Sequence, residues 1–345
     1  MTTIPTVSEA AAMPLDVVTG GAGFIGSHLV DRLMQDGGRR IRVIDNFAIG
    51  NPRNLAHHAN DARLSVHQAD IGEAAAIEGL FEGADRIFHL AALADIVPSI
   101  NAPEAYFKAN VDGTFNVLQQ AVKNKARRFI YAASSSCYGI PDVSPTPETA
   151  ELRPQYPYAL TKLLGEQLVR HWAQVYKLPA LSMRFFNVFG PRARTSGTYG
   201  AVFGVFLAQM KAGKPVTIVG DGEQTRDFTF VTDVVDAVVR AAESTQQAKI
   251  YNVGSGGTYS INELVRLLGA KEIVHIPKRP GEPDCTFADV SRVREDLGWQ
   301  SSVPFADGVR IMLENIDHWA DAPVWTTDSI AEATKDWFKF LGNQS

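Results

Sequence analysis

Two residues one helical turn apart, Tyr158 and Lys162 in the stretch YALTK, are suited to proton transfer. Residues four positions apart on a helix share one face, so the phenol and the ammonium would be neighbours. A free tyrosine, with a pKa of about 10, is a poor base at neutral pH, but a nearby positive charge lowers that pKa. The pair therefore predicts a tyrosinate that removes the proton of a substrate hydroxyl.

A third polar group is needed to orient the substrate oxygen, and the stretch AASSSCYG supplies it directly after a predicted strand. Ser134 is the expected catalytic serine, and Ser135 and Ser136 stand beside it. Ser134 and Ser136 are both expected to contact substrate. A Tyr–Lys pair at this spacing occurs by chance on many helices, so its meaning depends on the elements that position it.

The first of these elements is the stretch TGGAGFIG, with glycines at 20, 23 and 26 between a predicted strand and a predicted helix. Gly20 can take backbone angles that other residues resist. Gly23 lets a pyrophosphate approach the backbone, and Gly26 lets the helix pack closely on the strand. The free N–H groups of the helix N-terminus would bind that pyrophosphate. The predicted contacts of the loop are Gly20, Gly23, Phe24, Ile25 and Gly26.

The second strand ends in Asp45, about twenty residues after the loop. A carboxylate there accepts hydrogen bonds from an adenosine ribose and repels a 2′-phosphate, which favours NAD over NADP. Three arginines, Arg39, Arg40 and Arg42, lie close by in the sequence and could weaken that preference. NAD is the predicted cofactor.

Apolar runs alternate with helical periodicity through the first half of the chain, which predicts an α/β fold with a Rossmann-type doubly wound parallel sheet. Strands are expected at 15–19, 40–44, 64–70, 86–90 and 129–134, and helices at 25–35, 74–81, 105–122 and 158–176. After about Phe186 glycine and proline become frequent, as is typical of a smaller mixed α/β lobe. The expected division is a disordered leader at 1–13, a cofactor domain at 14–186 and a C-terminal substrate lobe at 187–345, some of whose segments return to the sheet.

Composition narrows the function classes. The 345 residues carry a net charge of −5, which provides no general attraction to nucleic acid or to an anionic membrane. No run reaches the roughly eighteen apolar residues of a membrane span, and the N-terminus lacks the basic start of a secretory signal. The two distant cysteines predict free thiols and a cytoplasmic location. No cluster has zinc-ligand spacing, so no metal is predicted. Residues 328–341 predict a terminal helix that serves packing.

Further motifs follow in order along nearly the whole chain, and together they resemble the extended short-chain dehydrogenase/reductase family, in its nucleotide-sugar 4-epimerase branch. After the glycine loop come DN at 45–46, ADI at 69–71, HLAA at 89–92, NVDGT at 110–114, SSSCYG, YALTK, RFFNVFGP, GDGEQTRDFTFV and RPGEP.

The resemblance implies roles for individual residues. It adds to the NAD contacts Asn46, Asp70, Ile71, Leu90, Ala91, Ala92, Asn110, Tyr158, Lys162 and Phe185. It implies that Asn187, Arg226 and Arg279 hold the diphosphate of a nucleotide-sugar and that Glu282 reaches the nucleotide ribose. The loop at 193–206 is expected at the base, and His89 is expected to be structural. Homodimers are expected through the helices near 105–122 and 158–176.

The resemblance also bears on the reaction. In the 4,6-dehydratases the catalytic stretch resembles Thr-Asp-Glu, and in the sugar-acid decarboxylases Thr-Ser-Glu, whereas Ser135 and Ser136 carry no carboxylate here. The expected activity is C4 epimerisation of UDP-glucose/UDP-galactose or UDP-N-acetylglucosamine/UDP-N-acetylgalactosamine through a 4-keto intermediate. Two alternatives stay open: a nucleotide-sugar 4-dehydrogenase, including one for GDP-sugars, and a non-enzymatic NAD-binding module. Thr286 is expected beside the sugar, where its small size leaves room for an N-acetyl group.

Overall fold

The computed structural model describes residues 13–193 and 201–342. Its main feature is a seven-stranded sheet whose strands all pair in parallel, in the order β11-β6-β5-β4-β1-β2-β3. These strands are β1 Leu15–Thr19, β2 Arg40–Asp45, β3 Leu64–Gln68, β4 Ala84–His89, β5 Arg128–Ser134, β6 Ala180–Phe185 and β11 Ile250–Val253. The doubly wound Rossmann-type sheet expected from the sequence is confirmed.

Seven further strands are short and form small sheets in the C-terminal half. They are β7 Asn187–Phe189, β8 Val216–Val219, β9 Thr225–Arg226, β10 Phe228–Phe230, β12 Tyr259–Ser260, β13 Ile273–Ile276 and β14 Cys285–Thr286. The pairs β10–β7 and β13–β8 are parallel, whereas β9 pairs antiparallel with β12 and parallel with β14. This is the smaller mixed lobe that the sequence predicts.

The α-helices are α1 Phe24–Asp36, α2 Ile96–Asn101, α3 Pro103–Phe107, α4 Gly113–Lys123, α5 Pro157–Val175, α6 Val202–Lys211, α7 Val231–Glu243, α8 Ile261–Leu268, α9 Ser291–Leu297, α10 Phe305–Glu314 and α11 Thr327–Leu341. A π-helical turn, Lys108–Asp112, joins α3 to α4, so the single helix expected at 105–122 is three helical pieces in series. None of the helices described is long and apolar enough to cross a membrane.

The prediction of a helix at 74–81 is wrong, because only a 3-10 turn, Ala74–Ile77, forms there. Gly79 and Gly83 have φ angles of 77° and 74°. This left-handed backbone conformation stops a right-handed helix, and glycine adopts it without steric cost. The chain therefore returns to the sheet through turns.

Part of the C-terminal half packs with the large sheet. Strand β11 extends that sheet beyond β6, and α7 lies against α1 with Val234 and Val238 in the same apolar core as Leu29 and Val30. A second core, with Phe189, Phe203, Phe228 and Phe305 in mutual ring contact, fills the smaller lobe. The boundary after Phe186 stays a prediction. The predicted disordered leader lies almost entirely in residues 1–12, outside the described residues.

Candidate active site

A cavity of about 710 Å³ lies where the parallel strands end and the smaller lobe faces them. Ligands of open α/β sheets bind at this edge. The structure brings nearly all predicted site residues to this one cavity: Gly20, Gly23, Phe24, Ile25, Gly26, Asp45, Asn46, Asp70, Ile71, Leu90, Ala91, Ala92, Ser134, Ser136, Tyr158, Lys162, Phe185, Asn187, Arg226, Arg279, Glu282 and Thr286.

Asn110 is the exception, because it lies beneath the cavity wall. Its side-chain amide donates to the Leu93 carbonyl at 2.9 Å and to the Thr161 hydroxyl at 3.0 Å, and its oxygen accepts from the Leu93 N–H at 2.8 Å. These bonds tie the loop after β4 to α5, which carries Tyr158 and Lys162. Asn110 thus positions two parts of the site.

The glycine loop has almost no room for side chains. A Cβ at Gly20, whose φ is 73°, would lie 2.6 Å from the Ala91 nitrogen, and a Cβ at Gly26 would lie 2.1 Å from the Gly20 carbonyl oxygen. A Cβ at Gly23 would meet only that oxygen, at 3.1 Å. Gly23 also precedes the first turn of α1, whose free N–H groups face an anion-binding position. The loop therefore fits the pyrophosphate of NAD.

Asp45 has a second task that the sequence does not reveal. Its carboxylate accepts the N–H groups of Ala22 at 3.0 Å and Phe47 at 2.9 Å, which joins the end of β2 to the glycine loop. Burial raises the pKa of this carboxyl, and the two backbone hydrogen bonds act in the opposite direction. Asn46 reaches the neighbouring Asp70 at 3.1 Å, so the expected adenosine contacts lie together.

The three nearby arginines do not border the cavity. Arg39 binds Asp16 and Asp85, Arg40 donates to the Met13 carbonyl, and Arg42 donates to the Leu80 carbonyl. Their charges are therefore directed away from the position expected for a 2′-phosphate, and the preference for NAD that Asp45 predicts is not weakened by them.

Ser134, the predicted catalytic serine, ends β5. The Ser134 hydroxyl accepts the Ser136 N–H at 3.2 Å, and the two hydroxyl oxygens lie 2.7 Å apart. Tyr158 stands in the first turn of α5, which begins at Pro157, a residue suited to that position because its missing N–H would have no helical partner. The rings of Tyr156 and Tyr158 lie parallel, with centroids 6.4 Å apart.

In the structure the pKa of Tyr158 is raised, whereas the sequence predicts that a positively charged neighbour lowers it. Burial raises the pKa of that phenol, the Ser134 and Ser136 hydroxyls lower it, and the Asp95 charge raises it. Burial also lowers the pKa of Lys162 to about 7, so its positive charge is partly lost at neutral pH. The sequence argument treated the lysine as fully charged, whereas both groups share one buried environment.

Two neighbours stabilise the ammonium of Lys162 within the site. Its Nζ atom lies 4.5 Å from the centroid of the Tyr131 ring, and the Glu166 carboxylate one turn further along α5 favours its charged form.

His89, in contrast, is enclosed by the Thr19 and Thr114 hydroxyls at 2.7 and 2.9 Å. Burial lowers the pKa of His89 to about 3, so this ring is neutral and joins two threonines.

The positive groups of the substrate side converge on one carboxylate. Glu282 Oε1 lies 2.9 Å from the Arg279 guanidinium, and Oε2 lies 3.9 Å from that of Arg226. Burial lowers the pKa of Arg226, and Glu282 raises it. Two guanidinium groups side by side are suited to bind a diphosphate, since each presents several N–H donors to anionic oxygens.

Thr286 and Asn187 lie beside this pair. The Thr286 hydroxyl donates to the Asn187 side-chain oxygen at 2.8 Å and accepts the Asp227 N–H at 3.2 Å. The buried Asp227 carboxylate in turn accepts from Ser255 and from the Ala288 N–H, which fixes β9 against β14. Of the loop at 193–206, residues 194–200 lie outside the described residues; Ala193 and residues 201–206 border the cavity.

The side chains near the cavity that sequence reasoning missed include Asp95, Tyr156 and Trp337, which border it, and Tyr106, which contacts Tyr158. The Tyr106 hydroxyl accepts the Asp95 N–H at 3.2 Å, and its ring meets that of Tyr158 edge-on. Tyr156 stands two residues before Tyr158, so its proximity could have been inferred. No sequence signal brings Trp337 to the site.

In the ranges that the structure describes, one group of side chains, Asp31, His57 and His58, has the composition of a metal site. Both imidazoles reach the same carboxylate oxygen, at 2.7 and 2.8 Å, and the Arg192 guanidinium lies 2.7 Å from the other. None of these residues borders the cavity. The arginine already balances the carboxylate charge, so we interpret the group as a hydrogen-bonded cluster.

Comparison with known proteins identifies the family of the chain. The model of the NAD dependent epimerase/dehydratase family matches residues 17–254. The chain is 36% identical over 305 residues to UDP-glucose 4-epimerase of Mycolicibacterium smegmatis, covering 86% of this chain and 97% of that one. It is 34% identical over 309 residues to UDP-glucuronic acid decarboxylase 4 of Arabidopsis thaliana, covering 87% and 68%. The structure of Thermotoga maritima UDP-glucose 4-epimerase with UDP-glucose superposes with a TM-score of 0.82 at 33% identity, covering 88% and 98%.

Proposed function

The chain belongs to the NAD dependent epimerase/dehydratase family, whose cofactor is NAD, and within it we propose that the chain catalyses C4 epimerisation of a UDP-hexose. The observation that carries the proposal is the end of β5, where Ser134 is followed by two serines. Elimination of water needs a general acid for the leaving hydroxyl, and this stretch offers none. Epimerisation needs only the Ser–Tyr–Lys group.

In the proposed reaction, the hydride removed from C4 and the proton removed from the C4 hydroxyl both return to the sugar. Bound NAD would supply the acceptor for the C4 hydride and the donor that returns it. Tyr158 accepts the proton of the C4 hydroxyl, and Ser134 holds the same oxygen by a hydrogen bond. The 4-keto sugar then turns over within the cavity, and Tyr158 returns the proton as hydride is added to the opposite face. Lys162 holds the nicotinamide ribose, and its charged form, which the Glu166 carboxylate favours, supplies positive charge to the phenolate.

The relatives support the substrate class. Two of them act on UDP-glucose by their names, and the third acts on UDP-glucuronic acid. The paired guanidinium groups of Arg226 and Arg279 suit a nucleoside diphosphate, and the room left at Thr286 admits a plain or an N-acetylated hexose. A second candidate reaction is decarboxylation of UDP-glucuronic acid, which the likeness to the decarboxylase favours, and Asp95 supplies a carboxylate in the cavity wall.

The test is a product analysis with no NAD added. The purified protein is incubated separately with UDP-galactose, UDP-N-acetylgalactosamine and UDP-glucuronic acid. Isomers are separated by chromatography while absorbance records NADH. Conversion to the gluco epimer without net NADH is the expected result. Accumulated NADH would assign the 4-dehydrogenase alternative, and release of carbon dioxide from UDP-glucuronic acid would assign decarboxylation. Tyr158→Phe is the matched inactive control.

A homodimer is part of the proposal. The helices α4 and α5 expose several large apolar side chains, among them Phe115 at 41% and Leu160 at 43%. Pairing of these two helices with their copies would bury those faces in a four-helix bundle. Light scattering is expected to give twice the chain mass. Phe115→Glu and Leu160→Glu are each expected to shift the protein toward the monomer, whereas the exposed Phe340→Glu on α11 is not.

A further inference from the structure

The last helix reaches the substrate side of the cavity through one side chain. Trp337, on α11, is 2% exposed, and its indole N–H donates to the Pro280 carbonyl at 2.7 Å. The Arg279 guanidinium lies over the indole, with 5.4 Å between its central carbon and the ring centroid. One residue therefore contacts the backbone and the charge of the turn at 279–282, which includes Glu282.

The same indole also faces the start of α5, the helix that carries Tyr158 and Lys162. Its ring centroid lies 6.4 Å from that of Tyr156, which is stacked on Tyr158. Val97 and Leu341 pack around it and hold α11 against α2. Trp337 thus stands between the turn expected to bind diphosphate and the tyrosine expected to act at C4.

The segment before α11 is fixed to the other end of the cavity. The buried Gln209 amide donates to the Trp325 carbonyl at 2.8 Å and to the Thr217 hydroxyl at 3.0 Å. Pro323 and Trp325 border the cavity there. The family model ends at residue 254, so the contacts made by residues 322–341 lie beyond the part of the chain that the model matches.

We propose that Trp337 is a positioning residue for the nucleotide-sugar, which orients the Arg279–Glu282 turn toward the diphosphate; this rests on the function proposed above. An indole over one face of a guanidinium holds its plane and leaves the N–H groups at its edge directed sideways, where anionic oxygens bind. The bond to Pro280 fixes the backbone at the same point. The terminal helix expected from the sequence to serve packing is thereby assigned a part in substrate binding.

A purely structural tryptophan would behave differently. Its loss would lower the melting temperature and leave the affinity for substrate unchanged. A positioning residue acts on substrate binding, so its loss raises KM more than it lowers kcat. Exchange of amide hydrogens in residues 278–284 reports the order of the turn without any substrate.

The experiment compares Trp337→Leu and Trp337→Phe with Ile330→Ala in the full-length, NAD-loaded enzyme. Ile330 is buried on the same helix but packs in the apolar core of the smaller lobe, which contains neither Trp337 nor the turn at 279–282. For Trp337→Leu we expect faster exchange at 278–284 and a KM for UDP-galactose raised roughly tenfold, with kcat changed less than about twofold. Trp337→Phe keeps a ring and loses the bond to Pro280, so an intermediate effect is expected. Ile330→Ala is expected to lower the melting temperature alone.

Two results would overturn the proposal. One is unchanged exchange at 278–284 in both Trp337 variants; the other is an Ile330→Ala variant that raises KM as much as Trp337→Leu. Titration of wild-type enzyme with UDP separates this inference from the proposed function. If UDP does not bind, the proposed nucleotide is wrong, and the exchange measurement, which needs no nucleotide, still decides the role of Trp337.

Discussion

The cavity has two halves that are assembled in different ways. The cofactor half consists of the glycine loop, Asp45, Asp70 and residues 90–92, and each part follows a neighbouring strand of one parallel sheet. The other half, which we propose binds the substrate and call the substrate half, combines β7, β9, the turn at 279–286 and the last helix. These elements are separated by long stretches of chain. Backbone geometry therefore defines the first half, and contacts between distant side chains define the second.

Tyr158, where the two halves meet, is the place for the largest effect. Tyr158→Phe removes the proton acceptor and leaves the ring stacking on Tyr156 in place. We expect turnover of UDP-galactose to fall roughly 10³-fold, within the range typical of a lost acid–base group. NAD content and melting temperature are expected to match the wild type.

The result bears on the comparison directly. Turnover within about tenfold of wild type would show that the chemistry belongs to neither half as described here. Loss of NAD from Tyr158→Phe would instead show that the tyrosine is part of the cofactor half.

Substitutions in the cofactor half are expected to weaken NAD binding by displacing the backbone of the glycine loop. A Cβ at Gly26 would lie 2.1 Å from the Gly20 oxygen, so Gly26→Ala must displace the loop. We expect NAD binding to weaken roughly a hundredfold, because hydrogen bonds to a charged phosphate contribute about 1.5–3 kcal/mol each. The melting temperature should fall as well. Both are measured on protein stripped of NAD and titrated with it.

Gly23→Ala is the matched comparison, since its Cβ meets one oxygen at 3.1 Å and otherwise faces the cavity. Here NAD affinity should fall while the melting temperature stays close to wild type. Equal loss of stability in both variants would contradict the assignment of Gly23 to the ligand and Gly26 to helix packing.

The contrast between the halves explains what the sequence could predict. The strand ends and the glycine spacing follow local rules, and the structure has the large sheet and the loop as expected. A glycine also explains the failed helix prediction at 74–81, where Gly79 has the left-handed conformation that a right-handed helix does not accommodate. Trp337 could not be placed, because its distance from Arg279 depends on the packing of the whole smaller lobe. The effect of burial on the pKa of Tyr158 could not be predicted, because burial is a property of the folded chain.

Substitutions in the substrate half are expected to weaken substrate binding by removing positive charge. Arg279→Met removes one of two guanidinium groups near Glu282 and leaves that carboxylate close to the diphosphate position. We expect KM for UDP-galactose to rise at least about tenfold, with NAD content unchanged. Arg310→Met, at an exposed arginine of α10, is the control and should leave KM unaltered. Loss of NAD from Arg279→Met would mean that the two halves are not separable.

The smallest effect is expected at Thr286, where the substrate half distinguishes one sugar from another. Thr286→Tyr adds a ring to the cavity wall next to Asn187 and should lower kcat/KM for UDP-N-acetylgalactosamine several-fold more than for UDP-galactose, since a pocket contact of this size is worth about 1–3 kcal/mol. Thr286→Val removes the hydroxyl that binds Asn187 and adds no bulk, so it should affect both sugars alike. Equal losses for the two sugars in Thr286→Tyr would place the C2 substituent elsewhere. The substrate half would then bind the diphosphate without selecting the sugar, and specificity would have to come from residues nearer Tyr156 and Trp337.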